Sequence, residues 1–277
     1  MGITMAGLVP HPPIAIPEIG GDRIGEIKKT INSLQEISEE IVDENPDIII
    51  TISPHGPVFK DAISVLDKPE LKGDFLDFGH PEVSFKVKSD LDFIDELKNN
   101  ALDKNYEMVK LSQTKSGYNS SNNLDHGVLV PLYYLKKAGL KTPIVALTMG
   151  LLDYQNLYEF GSFLQQTLNE MNYKGVVLAS GDLSHRLKPG APAGYNPRGE
   201  EFDKKLVNLL KEKRFKEVLD IDSTLIKKAG ECGLRPIIIM LGSLQRLTVE
   251  AEIKSYEGPF GVGYSVAGFY RKKRKEE

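Results

Sequence analysis

The chain has one cysteine, Cys232, and no tryptophan in 277 residues. A single thiol excludes an internal disulfide and any multi-cysteine zinc or iron–sulfur site within one chain. A metal here needs histidine and carboxylate. There is also no apolar run long enough to span a bilayer, and residues 1–10 lack the basic start and small-residue cleavage site of a signal peptide. The expectation is therefore a cytoplasmic protein that does not enter a membrane. With 35 basic and 39 acidic residues the formal net charge is −4, which argues against a nucleic-acid-binding surface. The only dense basic run is the tail from about 271 to 277, read as a solvated end without function.

What is present is an ordinary globular composition, 40% hydrophobic and 27% charged, in a length suited to one domain. Apolar runs alternate with helical periodicity. Ile3–Val9, Asp47–Ile52, Pro143–Thr148 and Gly175–Ala179 read as buried strands. The spacing of Ile24, Ile27, Ile31, Leu34, Ile37 and Ile41 predicts a crossover helix over 22–44, and 154–172 repeats the pattern. Helices are also expected at 89–103 with Ser89 as N-cap, at 130–137, at 200–212, and at 237–244 with Pro236 in the first turn. PPIAIPEIGG should be a proline-blocked loop. Strand pieces are expected at 62–65 and 83–87, and two closing strands at 249–256 and 263–270. Ser116 to Asn123 reads as a flexible segment. The fold class is α/β, one domain over 1–277, with a central mixed sheet and helices on both faces.

Three of only five histidines follow strand-like runs: His11, His55 and His185. Open α/β sheets bind ligands outside the carboxyl ends of their strands, so these positions count for more than a histidine taken alone. His126 sits at a loop-to-helix junction. His80 carries no such context and reads as a surface or hydrogen-bonded core residue. Two imidazoles and one carboxylate around a cation form the ligand set of non-haem iron oxygenases and equally of catalytic zinc. Glu231 is the candidate carboxylate, between Gly230 and Gly233, with capping of the following helix as its alternative role. Asp182 either competes for the metal or accepts a hydrogen bond from an imidazole and fixes its tautomer. Cys232 is a soft-metal ligand or, more commonly for a lone buried thiol, a small core residue. GPFGVG is not a dinucleotide fingerprint, because a strand-like segment follows it, and no serine elbow occurs.

VPHPPI, SPHGP, LDHG, GDLSH and GECGLRP, in that order and with the C-terminal YEGPFGVGYSVAGFYR, resemble the class III extradiol ring-cleavage dioxygenases of the LigB type. Within that superfamily the chain is most similar to the AmmeMemoRadiSam and Memo-like branch. The resemblance implies His11, His55 and Glu231 as ligands of Fe(II), with Zn(II) or another divalent metal as the alternative. It implies His185 as acid/base residue and His126 as a second pocket histidine; Asp182, three residues before His185, is then expected to orient it. The implied activity is cleavage of a catechol-like ring with O2. A Memo-like metal-binding accessory or signalling role, or a zinc-type hydrolase on the same residues, are the alternatives. A homo-oligomer, and a domain standing without the second domain that some relatives carry, complete the expectation.

Overall fold

The computed structural model describes residues 1–114 and 123–272. The segment expected to be flexible (its residues 116–122) and most of the basic tail (273–277) lie outside the described residues. In chain order the elements are β1 (Gly2–Val9), α1 (Pro17–Gly20), α2 (Lys28–Asp43), β2 (Ile48–Ser53), β3 (Ala62–Val65), β4 (Glu70–Phe75), β5 (His80–Lys88), α3 (Leu91–Leu102) and β6 (Glu107–Lys110). They continue with α4 (His126–Lys137), β7 (Ile144–Thr148), α5 (Tyr154–Glu170), β8 (Lys174–Ser180), α6 (Arg198–Lys211), α7 (Ser223–Ala229), α8 (Leu234–Ser243), β9 (Val249–Glu257) and β10 (Tyr264–Arg271).

Eight strands form one mixed sheet in the order β6-β3-β7-β2-β8-β1-β10-β9, and β4 with β5 makes a separate hairpin. The four middle strands, β7, β2, β8 and β1, are parallel. Each is an almost wholly buried apolar run, as a parallel sheet covered on both faces requires. Alternation along β2 shows the two layers. Ile48, Ile50 and Ile52 join a core with Leu97 of α3, Leu164 of α5, Leu206 of α6 and Ile238 of α8. Ile49 faces the other way, into a core with Leu34 of α2, Leu132 of α4, and Leu71 and Val87 of the hairpin.

Several boundaries differ from the sequence reading, each for a local reason. PPIAIPEIGG is not an open loop: it forms a 3-10 turn at Pro13–Ala15 and the short α1, both with proline in the first turn, where its missing N–H costs nothing. The crossover helix begins as 3-10 over Gly21–Ile27 before α2. Asp90, not Ser89, caps α3 by accepting from Phe93 N–H at 2.9 Å. Helix α4 starts four residues earlier than expected and runs through Pro131, because Asp125 caps it by accepting from Gly127 N–H at 2.8 Å. The short strand β6 and the polar strand β4, with Gly73 in its middle, gave no apolar pattern to read.

Candidate metal centre

β8 lies between β1 and β2, so the residues that follow β1 and β2 stand two strand spacings apart, about 9.6 Å. Histidines there meet only by leaning together over the end of β8. They do: His11 Nε2 and His55 Nε2 are 2.9 Å apart. His11 is 2% exposed, and its Nδ1 is 2.9 Å from Ser180 Oγ, the last residue of β8. Its backbone N–H donates to Asp182 Oδ1 at 2.9 Å. His55 is held by a second tie, in which Ser53 Oγ donates to Asp125 Oδ1 at 2.6 Å and joins the end of β2 to the cap of α4. That brings His126, the first residue of α4, into a stack on His55 at 4.2 Å between ring centroids. Phe78, at the tip of the β4–β5 hairpin, meets the His126 ring at 5.4 Å and 69°.

The third donor comes from the turn before α8. Gly233 N–H donates to Asp182 O at 3.0 Å, and a Cβ on Gly181 would lie 2.3 Å from Gly233 Cα. Two glycines let these loops touch backbone to backbone. The contact sets Cys232 Sγ 3.6 Å from His11 Nε2. Among the described residues, His11, His55 and Cys232 are the histidine, cysteine or carboxylate group whose ligand atoms all lie within 4.8 Å of one another.

Glu231 is next to this group and occupied differently: its Oε2 accepts from Leu234 N–H at 2.6 Å, the helix-capping role. One N-terminal amide of α8 is thereby satisfied. Asp182 also differs from its expected part. It accepts from the His11 backbone and not from the His185 ring, because the end of β8 sits beside the end of β1 and offers that amide first. His185, half-buried, has a shielded Nδ1 with no hydrogen-bond partner among the described residues. His80 pairs with Glu82 at 2.8 Å on the hairpin surface, the first of its two expected roles. Ser180, Asp125 and Phe78 were not picked out from the sequence. Only Ser180, closing a buried run with a polar side chain, carried a usable signal.

Burial dominates the electrostatics. It holds His11 well below the usual imidazole range, helped by His55, His126 and His185, and lowers His55 to about 4. His126 and His185 are lowered too, again chiefly by burial. Asp182 and Glu231 are pushed up to about 7 by burial, and the Cys232 thiol is pushed well above its ordinary value. Neutral imidazoles with lone pairs, beside acids that give up protons only to a compensating charge, suit a divalent cation. The residues present therefore fit a metal, with two nitrogen donors and one sulfur donor.

Fold and site together define an α/β protein with a histidine-lined metal-binding site at the carboxyl edge of a mostly parallel sheet. The family described as "Catalytic LigB subunit of aromatic ring-opening dioxygenase" matches residues 5–267, and the chain belongs to that family. It is 40% identical over 260 residues to Protein CA_C1420 of Clostridium acetobutylicum, an alignment covering 94% of this chain and 56% of that protein. It is 27% identical over 175 residues to MEMO1 family protein MJ0403 of Methanocaldococcus jannaschii, covering 61% of this chain and 54% of that one. The chain thus spans about half the length of the curated relatives it matches. The uncharacterized protein JW3007 of Escherichia coli K12 has a similar fold, with a TM-score of 0.62, 15% identity, and 96% and 99% of the two chains covered. No helix among the described residues is long and apolar enough to cross a membrane.

Proposed function

We propose that the chain is a metal-dependent, dioxygenase-type protein that takes a small ring-bearing substrate, catechol-like, together with O2, at a centre formed by His11, His55 and Cys232. The observation that carries this is the presence of two further histidines, His126 and His185, beside the donor group and outside it. A purely structural metal site closes its shell and needs no spare bases. Bound Fe(II) would supply the one-electron chemistry that lets O2 react with an aromatic ring.

The protein's own part follows from its geometry. His185 is kept neutral by burial, so its imidazole can take a phenolic proton and return it later. His126, stacked on His55 and edged by Phe78, offers a hydrogen-bonding nitrogen on the side where Phe78 provides an apolar wall. Ser180 and Asp182 orient His11 through its ring and its backbone. Glu231 holds the start of α8 in place and leaves Cys232 facing the histidines.

Cys232 favours a second reading. A thiolate ligand is softer than a carboxylate and suits copper or zinc as well as iron, which fits a Memo-like metal-binding role without ring cleavage. One experiment separates the two. Protein loaded anaerobically with Fe(II) and offered a panel of catechols takes up O2 if the first reading holds, and His185→Ala keeps its iron while losing uptake. Stoichiometric metal with no uptake from any catechol leaves only the second reading.

A further inference from the structure

The Ser180 side chain is buried, 1% exposed, and its hydroxyl has two neighbours. It donates to the carbonyl oxygen of Gly127 and lies 2.9 Å from His11 Nδ1. A hydroxyl has a single hydrogen. With that hydrogen on Gly127, Oγ presents only lone pairs to His11, so Nδ1 carries the imidazole hydrogen and Nε2 the free pair.

The direction of this bond has a cause in the sequence. In an α-helix the carbonyl of residue 127 takes the N–H of residue 131. Residue 131 is proline, inside α4, and has no N–H to give. The Gly127 carbonyl is therefore short of its helical donor, in a buried place where an unmet acceptor is costly, and Ser180 meets it. We infer that Pro131 and Ser180 are positioning residues: they form a one-way relay from His11 Nδ1–H through Ser180 O–H to the Gly127 carbonyl. The relay fixes His11 in the one tautomer whose Nε2 lone pair faces His55 and Cys232.

A consequence falls on the partner histidine. If His11 Nε2 holds a lone pair, the hydrogen between the two Nε2 atoms, 2.9 Å apart, belongs to His55. The two donors are then unequal. His11 is set in advance, whereas His55 must shift its hydrogen to Nδ1 before its Nε2 can face the same cation. The tautomer of His11 stands on the hydrogen bonds alone, and its service to a cation rests on the metal-centre reading above.

The test uses chelator-treated, 15N-histidine-labelled protein and long-range 1H–15N spectra, which distinguish a protonated ring nitrogen from a bare one. Wild type should show His11 protonated at Nδ1 only. Ser180→Ala should admit the Nε2–H form, and Ser180→Thr, which keeps the hydroxyl, should restore the wild-type pattern. Pro131→Ala supplies Gly127 with its own helical donor and frees the Ser180 hydrogen to turn toward His11, so it should also populate the second form. Proline is the poorest helix former, so this variant is expected to fold at least as well as wild type. An unchanged His11 tautomer in Ser180→Ala overturns the relay, and an unchanged one in Pro131→Ala overturns the proline's part in it. Zn(II) titration is the second readout, with affinity falling about 10- to 100-fold in Ser180→Ala and recovering in Ser180→Thr. A changed tautomer with unchanged Zn(II) affinity would leave the relay standing and refute His11 as a ligand.

Discussion

Loading the metal-free protein with a soft divalent cation such as Cd(II) should release protons in a pattern that names the ligands. His11 and His55 are neutral near pH 7 and have nothing to lose. Cys232 enters as a thiol, since burial keeps its proton on well above the ordinary range. Ligation by His11, His55 and Cys232 therefore expels about one thiol proton per ion, and that count stays flat from about pH 6 to 8.5. Glu231 behaves otherwise. With its carboxyl at about 7, ligation by Glu231 in place of Cys232 would release about 0.9 proton at pH 6, about 0.5 at pH 7 and about 0.1 at pH 8. Asp182, also at about 7, adds a falling component in both cases, so the diagnostic quantity is the difference between wild type and Cys232→Ala. Calorimetric titration in buffers of different ionisation enthalpy gives the count. A difference of about one proton at every pH supports the thiolate. Release that fades by pH 8 and is unchanged by Cys232→Ala would refute it.

Three other outcomes follow from the same geometry. Asp203 is buried under the site loop, accepting from Ser184 N–H and Tyr256 O–H at 2.8 Å each, and burial pushes its carboxyl up to about 7. Its folded value is raised, so its contribution to stability is fully present below the unfolded value near 3.8 and is lost as pH rises through about 7. Chemical denaturation of metal-free protein from pH 4 to 8 should show this fall, and Asp203→Asn should remove about 4 kcal/mol of it. Gly181→Ala puts a methyl 2.3 Å from Gly233 Cα, and separating these loops should cost about 1–3 kcal/mol and weaken metal binding. A variant with wild-type stability and metal affinity would show that the contact does not set Cys232. Phe78→Ala removes the ring against His126, so a ring-bearing chelator such as benzohydroxamate should bind the Zn(II)-loaded protein about tenfold more weakly, with acetohydroxamate unaffected. Equal losses for both would contradict an apolar wall at that position.

How far the sequence could be read depended on whether a signal was local. The buried strands β1, β2, β7 and β8 are continuous apolar runs, and the histidines after three of them converge as strand-end positions should. The remaining roles are set by tertiary neighbours. Asp182 reads as a competing metal ligand or a partner for His185, three residues on, but strand order puts the His11 amide closer to hand. Cys232 reads as a soft-metal ligand or, more commonly, a small core residue, and the Gly181–Gly233 contact sets it facing the histidines. Pro131 carries no sign of a role in the sequence. In the fold it is an interior residue whose missing N–H leaves a carbonyl for Ser180.

The measurement closest to the central claim is metal-edge X-ray absorption on protein loaded anaerobically with one equivalent of Zn(II), wild type beside Cys232→Ser and Glu231→Gln. Ligation by His11, His55 and Cys232 gives nitrogen scatterers with one sulfur at about 2.3 Å, the sulfur lost in Cys232→Ser and retained in Glu231→Gln. A shell of nitrogen and oxygen alone in wild type, disturbed by Glu231→Gln and indifferent to Cys232→Ser, would contradict it.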